Sequence, residues 1–164
     1  MTPSELVESF APFVLRTLKY HSVAERDLDD VCQEVFIIVF RRLPQFDPSR
    51  PLRAWIYGIC MKVAAAYRRR ARHRREVLVH ETPDEAVPGG SSGSDVVSTQ
   101  QLVAMLARLD EDKRTVLILH EIEELPMSEI ALIVDCPVKT AYSRLAAAIK
   151  QMLVMMSKWN PRRC

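Results

Sequence analysis

Glycine is scarce in this chain, with four among 164 residues, while Leu, Ala, Val, Ile, Arg and Glu dominate. That composition favours helices over other regular structure. No apolar stretch approaches the roughly 20 residues that a membrane span needs, so no membrane insertion is expected. The opening MTPSELVESFAPFVLRTLKY has acidic residues early and neither a basic leader nor a small-residue cleavage site. It does not read as a secretory signal, and a cytoplasmic protein is expected. The four cysteines, Cys32, Cys60, Cys136 and Cys164, stand far apart without a C-x-x-C pair, and the four histidines complete no zinc-binding pattern. The first three read as buried thiols and Cys164 as exposed; neither a metal nor a cofactor is expected. A nucleophile elbow, a phosphate loop and a paired Cys/His motif are all missing, so no enzyme is expected.

What is present is enough for packed cores. Hydrophobic residues make up 48% and charged residues 27%, which argues against global disorder. Net charge is only +2, but its distribution is uneven. Residues 1–75 carry 14 Lys/Arg against 8 Asp/Glu, residues 76–100 none against 5, and residues 101–164 carry 9 against 8. A basic opening segment, an acidic connector and a near-neutral closing segment imply two modules and a tether.

Helical periodicity supports this division. Leu6, Phe10, Phe13, Val14 and Leu18 predict a first helix ending near Tyr20. A second begins near Glu25–Asp27, carries Val31, Val35, Ile38 and Phe40, and stops before Pro44. The stretch PQFDPSRP reads as a loop, and a long helix from about Leu52 runs into RRRARHRR at 68–75. The following segment, with Pro83, Pro88 and GGSSGS, reads as a flexible acidic linker. Beyond it a helix is predicted to end near Asp110, which caps the next. Pro126 suits the start of a short helix, VDCPV a tight turn, and 139–156 a final helix. That order is a helix-turn-helix pattern.

Three features bear on chemistry. Asp30 and Glu34 lie one turn apart with Gln33 adjacent, but no histidine or second carboxylate cluster joins them to make a metal or catalytic site. Six arginines between Arg68 and Arg75 suit phosphate neutralisation, or form a solvated helix end. They follow Phe46, Trp55, Tyr57 and Tyr67, aromatics able to stack on unpaired bases, although Trp55 shares an apolar face with Ile59 and Val63. Lys139, Thr140, Tyr142, Ser143 and Arg144 stand early on the final helix, where a helix-turn-helix meets base edges.

DLDDVCQEVFIIVFRRLPQFDPSRPLRAWIYGI resembles region two of sigma factors, in which D-x-x-Q-E-x-F, a proline-phenylalanine turn and a tryptophan recur in order. RLDEDKRTVLILHEIEELPMSEIALIVDCPVKTAYSRLAAAIKQ resembles their region four, including E-I-A, C-P and S-R-L. Together they cover roughly half the chain, in the family's order. With no domain between them and no long extension before them, the chain resembles the extracytoplasmic-function group. The resemblance implies an all-α chain of two small helical domains: residues 1–75 as region 2, 76–96 as flexible linker and 97–160 as region 4.

The resemblance also implies roles. Asp30, Gln33 and Glu34 match the surface for the clamp helices of the polymerase β′ subunit. The −10 promoter element falls to Phe46, Asp47, Ser49, Arg50, Arg53, Lys62, Arg68 and Arg69. The first helices of region four match the surface for the β flap, and Lys139, Thr140, Tyr142, Ser143 and Arg144 fall to the −35 element. Promoter DNA, the polymerase core and an anti-sigma factor are the implied partners. Relatives often place Asn near Lys62, a basic residue at Tyr142, and polar or basic residues at Ala146 and Ala147, so this recognition helix is short of positive charge. A stand-alone helix-turn-helix regulator is the competing reading; a recombinase or nuclease lacks its catalytic residues.

Overall fold

The computed structural model describes residues 1–78 and 97–159. Among them the regular structure is helical: α1 (Pro3–Tyr20), α2 (Leu28–Arg42), α3 (Leu52–Leu78), α4 (Thr99–Leu106), α5 (Glu111–Leu117), α6 (Met127–Ile133) and α7 (Val138–Trp159). α3 continues to Leu78, three residues into the segment expected as linker; the remainder of that segment, 79–96, lies outside the described residues. So does Cys164.

Local chemistry sets the helix ends. Thr2 Oγ1 accepts from the Glu5 N–H at 3.2 Å while the Thr2 N–H donates to Glu5 at 2.6 Å, a reciprocal cap that starts α1 with Pro3 in its first turn. Ser98 and Gln101 repeat that cap at α4. Asp110 accepts from the Lys113 N–H at 3.0 Å and starts α5, as its position implies. A single 3₁₀ turn, Glu25–Asp27, precedes α2, and another, Leu43–Gln45 with Pro44, follows it. The Tyr67 hydroxyl accepts from the Ala24 N–H at 3.3 Å and donates to Asp27 at 2.6 Å, tying the first of these turns to α3.

α1, α2 and α3 pack through Leu6, Phe13, Val14 and Leu18, through Val31, Val35, Phe36 and Val39, and through Ile56, Tyr57, Ile59 and Val63. Cys32 and Cys60 are buried among them, and burial raises both thiols above their ordinary pKa. Cys136 is only half-buried. In the second half Leu106, Leu109, Val116, Leu119, Ile130, Ala141 and Leu145 bring α4–α7 together. The buried residues of both halves form one contiguous cluster, with α6 against α3 and α4 against α1.

Two departures from helical periodicity shape the second half. The helix expected to end near Asp110 ends at Leu106, because the buried Arg114 guanidinium takes the carbonyls of Leu106 (2.9 Å), Ala107 (3.3 Å) and Leu109 (2.9 Å). A cation at the negative end of a helix satisfies acceptors that have no helical partner. Further on, α5 widens into a π turn over Ile118–Ile122, where the Glu123 N–H reaches back to the Ile118 carbonyl at 3.1 Å. Glu124 then takes φ 53° and the chain reverses. Pro126 is the residue before α6 rather than its first. Between α6 and α7, Asp135 adopts φ 52°, the left-handed geometry that aspartate tolerates better than most residues.

Candidate nucleic-acid interface and its acidic counterpart

α2 buries Val31, Cys32, Val35 and Phe36, and its period therefore turns Asp30 and Gln33 to solvent with Glu34 at the edge. The three expected residues thus share one open face. Glu34 lies 3.5 Å from Arg70, so the arginine tail of α3 runs alongside this face. No group of three or more metal-binding side chains converges among the described residues.

The loop between α2 and α3 is folded by its own side chains. Asp47 accepts from the Ser49 N–H at 3.0 Å and its hydroxyl at 2.8 Å, bonds that hold the Asp47 carboxyl below its ordinary pKa. The Arg50 N–H closes the turn on the Asp47 carbonyl at 3.0 Å. Phe46 packs on Trp55 with ring centroids 4.9 Å apart, both half-buried. Asp47, Ser49, Arg50, Arg53, Lys62 and Arg69 lie at the surface. Arg53 stands over the Phe13 ring at 5.7 Å and 3.7 Å from Glu129 of α6.

Two aromatics and one cation of this group turn inward. Tyr57 is buried and its hydroxyl meets His21 Nε2 at 2.7 Å, while Tyr67 is held by Ala24 and Asp27. Of the four aromatics proposed for stacking, only Phe46 and Trp55 lie at the loop. Arg68 donates to the His21 carbonyl at 2.8 Å, and burial lowers its pKa. His21 is itself fully buried, and desolvation, reinforced by Arg114 and Arg68, pushes its pKa down to about 3. The ring is neutral near pH 7.

On α7, Ala141, Leu145 and Ala148 face the core, which leaves Lys139, Tyr142 and Ser143 exposed and Thr140 and Arg144 half-buried. Tyr142 is 57% exposed, a large aromatic ring open to solvent. Arg144 lies 3.7 Å from Asp112 of α5, an ion pair between the two helices. Among the described residues, the helix thus presents Lys139 as the free long cation beside Tyr142 in its first turns.

Sequence reasoning missed the residues that join the halves. Arg16 of α1 grips Glu123 with two bonds, Nε at 2.8 Å and Nη2 at 3.0 Å, across 107 positions of sequence. The pair raises the Arg16 pKa. Arg114 carried a readable signal: it precedes Leu117 and Ile118 by three and four positions, so it falls on the apolar stripe of its helix.

An acid-and-amide face, a loop folded on Asp47 and a helix-turn-helix occur in that order along the chain. Residues 6–74 match Sigma-70 region 2 and residues 99–152 match Sigma-70, region 4. The chain is 26% identical over 162 residues to the RNA polymerase sigma factor CnrH of Cupriavidus metallidurans, covering 93% of this chain and 85% of that one. Against the ECF RNA polymerase sigma-E factor of Escherichia coli, identity is 31% over 137 residues, 77% of this chain and 72% of the relative. The solved structure of CnrH in complex with the cytosolic domain of CnrY shares the fold, with TM-score 0.71 and 24% identity over 95% of this chain and 88% of that one. Identity at that level across both regions leaves one assignment: the chain belongs to the extracytoplasmic-function group of RNA polymerase sigma factors.

Proposed function

We propose that Asp30, Gln33 and Glu34 dock on the β′ clamp helices of the polymerase, while the 46–53 loop, Lys62 and Arg69 hold the opened −10 strand. The single observation that carries this reading is the placement of the two surfaces. The acid-and-amide face of α2 and the cationic loop at the head of α3 are fixed by one small core, so docking on the polymerase also positions the strand-binding loop. Lys139, Thr140, Tyr142 and Ser143 meet the −35 duplex, with Arg144 shared between DNA and Asp112. Residues 1–75 and 97–160 act as the two functional domains and 76–96 as their connector.

On this reading the chain contributes no catalysis. The polymerase makes the RNA, and the factor works by differential binding: it chooses the promoter and stabilises the melted strand. Its place of action is the cytoplasm. A structural neighbour, the sigma factor RpoE in complex with the anti-sigma factor NepR from Bartonella quintana, supports an anti-sigma partner for this chain as well.

The experiment is co-purification with core polymerase followed by run-off transcription on a promoter library. The expected result is a stable complex and defined start sites that core alone does not give. Sequence-specific duplex binding without polymerase, and no transcript with it, would support a stand-alone regulator instead.

A further inference from the structure

The second half carries a cationic surface that the proposed base contacts do not use. A cleft of about 590 Å³ opens between the turn joining α4 to α5 and the second half of α7. Arg108 lines it from the turn and Lys150 and Lys158 from the helix, beside Ala147, Gln151 and Val154. All three cations are exposed, and no carboxylate lines the cleft among the described residues. Lys113 and Arg144, by contrast, are drawn to Asp110 and Asp112. A recess lined by charge of one sign concentrates its field and favours a ligand of the opposite sign.

Position on the helix says which anion that is. Lys139, Ser143, Ala146 and Lys150 recur at helical spacing and are all exposed, so they form one line along α7. At about 1.5 Å per residue, Lys150 lies about 16 Å beyond Lys139. The major groove is about 12 Å wide, so with the first turns at the base edges Lys150 has passed the groove and stands over the flanking sugar-phosphate backbone. The first turns bring little charge of their own, because Arg144 is paired with Asp112 and only Lys139 is left. Since about half or more of the hydrogen bonds that hold a protein on DNA go to phosphate and sugar, such contacts have to come from elsewhere on this half.

We propose that the cleft is a phosphate-binding site: Arg108, Lys150 and Lys158 clamp the DNA backbone that flanks the −35 groove and position the duplex for Tyr142 and Ser143. The proposal rests on the assignment of the head of α7 to the −35 duplex. It places charge-based positioning and base selection on separate parts of one helix.

The test uses holoenzyme assembled from the full chain and core polymerase, on a promoter fragment selected with the native chain. Arg108→Gln/Lys150→Gln/Lys158→Gln should lower the slope of log affinity against log salt by about 0.9 for each phosphate released, and leave the preferred −35 sequence unchanged. Lys150→Arg should keep the native slope. Methylphosphonates, which remove the phosphate charge one position at a time, locate the contact. Native holoenzyme should lose affinity at two or three neutralised positions beside the −35 element, and the triple variant should be indifferent to the same positions. A native salt slope in the triple variant, or equal methylphosphonate sensitivity in both proteins, overturns the proposal. So does a shift in the preferred −35 sequence, which would make the cleft part of base reading. Failure of the triple variant to co-purify with core polymerase overturns it too and assigns the cleft to a protein contact. Run-off transcription with the native chain keeps the two layers apart. Its failure removes the promoter reading and the cleft's ligand with it, whereas its success beside an unchanged slope removes the cleft alone.

Discussion

In the first half of the chain the cations stand in a run along the tail of a 27-residue helix and around a loop folded on Asp47; in the second, the recognition helix offers Lys139 and an exposed Tyr142, with Arg144 drawn to Asp112. The difference follows from what each surface is proposed to hold. An unpaired strand is held by phosphate neutralisation and by stacking, which call for charge and for rings such as Phe46 and Trp55. A duplex read in its major groove is positioned by phosphates but discriminated by base edges and shape, so a cation-poor helix can still select. The two halves therefore differ in the kind of selectivity they supply rather than in its amount.

The largest effect is expected from striking the first half alone. Asp30→Lys/Glu34→Lys should abolish co-purification with core polymerase while stability changes by under about 0.5 kcal/mol, because both side chains are on an open face. Retained binding by the folded variant would remove this face from the interface. Next comes the cation contrast itself. Replacing Arg69, Arg70, Arg72 and Arg74 with Gln should weaken holoenzyme binding on all promoters and lower the salt slope by close to one for each phosphate no longer neutralised, whereas Lys139→Gln should lower it by about one at most. Equal slopes for the two variants would erase the contrast. The smallest effect belongs to Tyr142→Ala, which should relax selectivity at one or two adjacent base pairs by about 1–3 kcal/mol each, read from a promoter-library selection. Indistinguishable −35 preferences would make Tyr142 a packing residue.

The helices and most of their limits were legible in the sequence, since apolar period and capping residues act locally: Asp110 caps α5 as its type and position imply. The exposed candidates were legible for the same reason, because a helix that buries Val31 and Val35 must expose Asp30 and Gln33. What the sequence hid depends on tertiary partners. Tyr57, Tyr67 and Arg68 resemble in type the residues proposed to bind the strand, but they satisfy His21 just past α1 and the turn before α2. Arg16 and Glu123 are ordinary surface residues until the halves meet, and the π turn that aims Glu123 breaks the 3.6-residue period from which a helix is read.

Sigma-factor action of this kind requires both halves to grip one promoter at the same time, and spacer length tests that most directly. Each base pair inserted between the −35 and −10 elements moves one about 3.4 Å away and turns it by about a tenth of a helical turn relative to the other. Run-off transcription across templates whose spacers differ by single base pairs should show one sharp optimum, with strong loss two base pairs to either side. A yield independent of spacer length would contradict simultaneous engagement and leave the two halves as separate binding modules.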